Sequence, residues 1–149
     1  MPTRIEIRIN PPDLFNRMAK YPDKLKEEMR GTMNQALLHV QGSIPAYPPQ
    51  NPNSTYARTL TLGRTIGLSG KPDVKTIKTS SKGVEGRIGT RLYYAPFVIG
   101  DQTQSKKVKQ SADWWTISTI VERATPGVIK LFDAMSERLV KWLAGKGAT

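Results

Sequence analysis

An α+β domain is the expectation for this chain: an antiparallel β-sheet (an N-terminal strand plus a β-meander) packed against a long N-terminal helix and C-terminal helices. It rests on period-two alternation at the start, a long helical stripe after it, and a run of short β-branched segments separated by turn signals. The 149 residues, 38% of them hydrophobic, suit a single domain, 1–149, that can bury a core without cross-links.

Arg4-Ile5-Glu6-Ile7-Arg8-Ile9 alternates polar and apolar, which places three isoleucines on one face of a strand. Asn10-Pro11-Pro12 stops it, and Asp13–Lys20 reads as a short helix ended by Tyr21-Pro22. From Asp23 the apolar positions are Leu25, Met29, Met33, Ala36, Leu37, Val40 and Ile44. Steps of three and four mark one helix face, with Pro22 suited to the first turn and Pro45 as the stop. Residues 45–57 hold four prolines and are expected to form an extended, polyproline-like arm.

The β-meander is expected from Thr65–Leu68, Val74–Thr79, Val84–Thr90 and Ala95–Ile99, divided by Ser69-Gly70-Lys71-Pro72 and Ser80-Ser81-Lys82-Gly83. Residues 101–112 read as a polar loop. Asp113 is expected to cap a helix carrying Trp114, Ile117, Ile120 and Val121 on one side. Thr125-Pro126 then reads as the start of a separate last helix burying Val128, Leu131, Phe132, Met135, Leu139, Trp142 and Leu143. Gly145 and Gly147 end it.

Composition removes several kinds of chemistry. Without cysteine there is no disulfide framework, thiolate metal site or thiol nucleophile. One histidine cannot form a two-histidine metal site. What remains carries little catalytic equipment, and no catalytic residue, cofactor or metal site is read from it. No run reaches the ~18–20 apolar residues that span a bilayer, and Met1–Glu6 has no apolar signal region. A basic, soluble protein of a reducing compartment, without membrane contact, is expected.

The formal charge is +11, and residues 51–100 alone carry 8 basic against 2 acidic residues. Arg58, Arg64, Lys71, Lys75, Lys78, Lys82, Arg87 and Arg91 gather around the meander and its turns, and such an excess suits a polyanion, either nucleic acid or an acidic protein surface. Lysine on edge strands also blocks aggregation. His39 has no acid or second histidine at ligand spacing and reads as a surface or half-buried residue. Glu27 and Glu28 are neighbours on a helix and point apart, so they read as a solvated face rather than paired catalytic carboxylates. Gly83, Gly86 and Gly89 lack the lysine–serine/threonine ending of a phosphate loop, and in a strand mark bulges or close backbone approach. Adjacent Trp114 and Trp115 lie ~100° apart on a helix, so one of them is expected to meet a loop or another subunit.

Two stretches resemble a known family. Ile44-Pro45-Ala46-Tyr47-Pro48-Pro49-Gln50 and Ser54-Thr55-Tyr56-Ala57-Arg58-Thr59-Leu60-Thr61-Leu62-Gly63-Arg64-Thr65 are similar to the helix end, "YPP" stretch and entry to the sheet of small tail-completion and head–tail joining proteins of long-tailed bacteriophages. Tyr94-Ala95-Pro96-Phe97-Val98 resembles that family's "YAPYV" strand, and Trp115-Thr116 its next helix start. The likeness runs roughly from residue 25 to residue 125. It departs at Leu60, where the family has glycine, and over Asp101–Ser111, which is polar where the family often carries aromatics.

The resemblance implies a structural virion morphogenesis protein at the head–tail junction or tail end. It implies partners in other copies of itself, as a ring of six subunits, and in other tail or connector proteins. Location in the virion, after assembly in the host cytoplasm, follows from the same likeness. Tyr47, Tyr56, Arg58, Arg64, Tyr94, Phe97, Trp114 and Trp115 are the candidate interface residues. A basic nucleic-acid-binding protein, with direct DNA contact, is the alternative.

Overall fold

Isoleucine at every second position makes Thr3–Ile9 a strand, β1, with Ile5, Ile7 and Ile9 against the core and Arg4, Glu6 and Arg8 away from it. This is a computed structural model, and it describes residues 3–9, 12–46, 61–68, 71–80, 83–106, 108 and 114–146. A short helix, α1 (Pro12–Arg17), leads to α2 (Pro22–Gly42), which starts on Pro22 and buries Leu25, Met29, Thr32, Met33, Ala36, Leu37 and Val40. The apolar stripe thus lies where its spacing placed it.

The β-region differs from the expected meander. Strands β2 (Val74–Ser80) and β3 (Gly83–Thr90) form an antiparallel pair, and β1 pairs antiparallel with the other side of β3, giving the order β1-β3-β2. Thr65–Leu68 is not a strand. Thr65 and Ile66 end a helix, α3 (Thr61–Ile66), and Gly67 follows with φ 106°, the left-handed stop that glycine supplies. Ala95–Ile99 is a helix as well, α4, with Pro96 in its first turn, where a missing N–H costs nothing.

The two expected C-terminal helices are one, α5 (Ile117–Gly145), with Pro126 inside it and Trp114 and Trp115 before its first turn. An internal proline costs roughly 3 kcal/mol. Burial of Ile120 and Ala124 before it, and of Phe132, Met135, Leu139 and Leu143 after it, offsets that cost.

The sheet is one layer; α2 and α5 form the other. Helix α2 lies over β2 and β3, while α5 packs beside α2 and reaches β1. The two helices run antiparallel, since Tyr21 meets Trp142 edge-to-face at 4.8 Å, Glu28 pairs with Arg138 at 3.2 Å, and His39 packs on Gly127. Gly86 leaves room for Met33 and Leu37 of α2, and an added Cβ at Gly89 would overlap the β1 backbone at Thr3 and Arg4. Both glycines therefore serve close approach.

The loop after α4 closes that helix. Thr103 Oγ1 donates to Pro96 O at 2.6 Å, Ser105 N to Phe97 O at 2.8 Å, and Gln104 Nε2 to Val98 O at 2.8 Å. The Phe97 and Val98 carbonyls would otherwise lack helical partners, and Pro96 O, which already accepts from Gly100 N at 3.0 Å, gains a second donor. Val108, in what reads as a purely polar segment, is buried.

Asp101 sits at the start of α5. Hydrogen bonds from the Ser118 hydroxyl, aided by those from the Thr116 hydroxyl and the Ser118 amide (3.2 Å), outweigh desolvation and hold its carboxyl below the usual aspartate value. Thr116 and Thr119 add a reciprocal capping box. A carboxyl whose pKa is depressed by folding contributes stability above its unfolded value and loses it as pH falls through the folded one. Asp101→Ala should therefore lower stability at neutral pH, by less than loss of a buried cap would, because the carboxyl is exposed and screened by solvent. In urea titrations the gap to the parent chain should close as pH falls below the ordinary aspartate value of 3.8; a gap that is constant with pH would rule out the carboxylate as the cause.

Candidate interaction surface

The described residues on either side of residues 47–60 are fastened to the body. On one side, the Trp115 indole Nε1 donates to Ala46 O at 3.2 Å, four residues beyond the end of α2. On the other, Gln41 Nε2 of α2 donates to Gly67 O at 2.9 Å. The Thr90 hydroxyl, wholly buried, lies 2.8 Å from Thr65 Oγ1 and 3.3 Å from Asp73 Oδ2. Asp73 N donates to Thr65 O at 2.7 Å, and Arg91 brackets Asp73 through its backbone N–H and its guanidinium. These bonds tie α3 to the ends of β2 and β3.

Of the candidate interface residues, Tyr47, Tyr56 and Arg58 lie outside the described residues. Arg64 is exposed on α3. Trp115 is only 6% exposed; it is a core residue that meets the Ala46 loop, which removes it from the expected outer surface. Trp114 is half-buried beside it, ring centroids 6.0 Å apart. Tyr94 stands at the N-terminus of α4 and Phe97 within it, with Phe97 N donating to Tyr94 O at 3.0 Å. Tyr94 is half-buried and meets Tyr93 edge-to-face at 5.3 Å, while Tyr93 and Phe97 are 84% and 55% exposed. Tyrosine is enriched at the energetic centres of protein contacts.

Arg64, Lys71, Lys75, Lys78 and Arg91 are exposed, and Arg58 and Lys82 lie outside the described residues. Arg87 belongs instead to an ion-pair network on the outer face of the sheet. Its Nε lies 2.7 Å from Glu85 and 3.2 Å from Glu6, while Arg4 and Arg8 reach Glu6 at 2.8 and 2.9 Å. Among the described residues no acceptor is aligned with the buried Arg87 Nε–H, so charge rather than a directed hydrogen bond holds those contacts. Partial desolvation raises the Glu6 pKa, but Arg87, Arg4 and Arg8 together bring it below the ordinary glutamate value.

The remaining polar groups have structural surroundings. Glu28 pairs with Lys24 at 3.4 Å and with Arg138; His39 is exposed and faces Gly127. Among the described residues no three His, Cys, Asp or Glu side chains gather as metal ligands, and no helix is long and apolar enough to cross a membrane.

A further surface escapes the sequence reading. Val121, Ala124, Thr125, Val128 and Ile129 of α5 line a groove with Ile5 and Ile7 of β1. Its signal is a second apolar stripe through 121, 128 and 129, legible only once α5 is known to run unbroken past Pro126. Comparison with protein-family models, curated proteins and solved structures finds no match to this chain.

Proposed function

We propose that this chain is a structural assembly protein of long-tailed bacteriophages, acting at the head–tail junction or tail end as a ring subunit. The observation that supports the reading is how the described ends of the family-like stretch, 44–46 and 61–65, are held. Ala46 is held by Trp115, and Thr65 by the buried Thr90 hydroxyl. A segment rooted at both ends on a rigid body is suited to reaching a neighbour, because less order has to be gained on docking. Head-to-tail contacts of that kind close into rings when the rotation permits; six subunits is the number the resemblance suggests. The exposed pair Tyr93 and Phe97 offers a second contact surface.

The test joins assembly and stability. Tyr56→Ala combined with Arg58→Ala should change the stability of the isolated chain by no more than ~0.5 kcal/mol. The same variant should abolish joined particles in electron micrographs, since interface anchors each contribute about 2 kcal/mol or more. A variant that melts much earlier yet still assembles when cool would overturn the arm's role. The alternative, nucleic-acid binding, draws on the exposed Lys71, Lys75, Lys78 and Arg91. Submicromolar duplex binding at physiological salt, falling steeply with added salt, would favour it over assembly.

A further inference from the structure

We propose that copies of this chain associate head-to-tail, with an apolar and acidic row on α5 of one copy seated in the groove between α2 and α5 of the next. This rests on the ring-subunit part of the reading above and names the two faces such a ring would join.

Neighbouring residues of a helix lie ~100° apart around its axis, and α5 carries two rows offset by one residue. Glu122, Ile129, Asp133 and Val140 form the first; Arg123, Lys130, Ala134 and Lys141 form the second. Steps of seven, four and seven residues keep each row on one side of the helix. All eight residues are exposed, Ile129 to 54% and Val140 to 39%. Apolar anchors spaced in this way are what an amphipathic helix lays into a groove.

The groove lies on the side of the second row. Leu38 and His39 of α2 and Gly127, Lys130, Leu131 and Ala134 of α5 are among its lining, and its volume is about 570 Å³. The helices meet closely there, since the His39 ring stands where a Cβ on Gly127 would fall. Leu38, 51% exposed, joins Leu131 and Ala134 as the apolar part. Leu38, His39, Lys130 and Ala134 all face solvent, so the site is too shallow to bury the roughly 70–90% of a small ligand that a pocket covers. A helix lying along it fits better.

Charge names that helix. Among the described residues no carboxylate lines the groove, and Arg123 and Lys141 extend the cationic row on either side of Lys130. Glu28, which bridges α2 and α5 further along, is already engaged by Lys24 and Arg138. Among the described residues Glu122, Asp133, Arg123 and Lys130 enter none of the ion pairs within the chain. The first row of a second copy supplies what the groove lacks: Ile129 for Leu38 and Leu131, and, one turn along, Asp133 for Lys130. The contact uses a different face on each copy, so every copy keeps one of each for a further neighbour. Contacts of that kind close into rings when the rotation permits.

Sedimentation velocity of the full chain, with native mass spectrometry for stoichiometry, should show association beyond a dimer as concentration rises, weakened by added salt. Lys130→Glu and Asp133→Lys, both at exposed positions, should each keep the parent's thermal melt and weaken association about tenfold or more. An equimolar mixture of the two variants should restore it, because the swapped charges then face each other. Ile129→Asp should weaken it as well, with no rescue by either charge variant. Association that stops at a closed dimer, that ignores both charge substitutions, or that the mixture does not restore would overturn the proposal. So would a chain still monomeric at about 1 mM. If Tyr56→Ala with Arg58→Ala abolishes joined particles while Lys130→Glu leaves association intact, this contact falls and the virion reading stands. If the mixture restores association but joined particles form without the chain, the contact stands and the virion reading falls.

Discussion

Gly89→Ala should melt well below the parent chain, while Gly86→Ala on the same strand should cost much less. Both glycines lie in β3, the central strand, and both are buried. At Gly86 the new methyl would meet Met33 and Leu37 side chains; methionine has rotors with which to yield, and about 1 kcal/mol is expected. At Gly89 it would meet the Thr3 carbonyl and the Arg4 Cα, both backbone. The only relief is to move β1 away from β3, breaking the register in which Arg4 faces Gly89. About 3 kcal/mol is expected, at the top of the overpacking range, or a fall of roughly 6–12 °C in Tm for a chain of this size. Thermal melts rank the two variants, and amide exchange should quicken first in β1. If Gly86→Ala proves the more damaging, the close approach of β1 at Gly89 is not what requires glycine there.

The parts of the fold that were legible in the sequence are those where one periodicity holds over a long run. Leu25 to Val40 steps by three and four, and all of that stripe is buried in α2; Ile5, Ile7 and Ile9 alternate and all face the core. The misread segments are short, and there composition misled. Thr65, Ile66, Val98 and Ile99 favour strands by side-chain shape, yet each lies in or ends a helix of five or six residues. Local punctuation carried the better signal: Gly67 as a helix stop and Pro96 as a first-turn residue. Pro126 misled in the other direction, because a start signal inside a helix is overridden when apolar residues on both sides of it are buried against the same core.

Of the candidate surface, the sequence shows the aromatics but not their setting: Phe97 lies on a helix rather than a strand, Tyr94 stands at that helix's N-terminus, and the more exposed Tyr93 meets Tyr94 edge-to-face. The sequence puts both tryptophans on one helix, pointing apart, with one of them meeting a loop or another subunit; Trp115 does meet the Ala46 loop. The pair instead precedes α5, where the helical angle between neighbours does not apply, and Trp115 turns inward.

That inward turn makes Trp115→Ala the substitution with the largest expected effect. The side chain is nearly buried, and its removal leaves a cavity where Trp114 packs and an unmatched acceptor at Ala46. Truncating a buried tryptophan costs about 3–5 kcal/mol, a large part of the 5–15 kcal/mol that holds a typical domain together. Trp115→Phe separates the two contributions. It keeps most of the apolar volume and loses only the donor, so about 0.5–1.5 kcal/mol is expected. Ala46 is exposed, and water can take the vacated position on its carbonyl. Chemical denaturation measures both costs, and hydrogen exchange at Ile44 and Ala46 reports on the root of the arm. Under the assembly reading, Trp115→Phe should also impair joining of particles more than its small stability cost explains, because the arm would leave the body at a less fixed point. If the phenylalanine variant assembles as the parent does while Ile44 and Ala46 exchange faster, the hydrogen bond contributes to stability alone and the fixed root plays no part in docking.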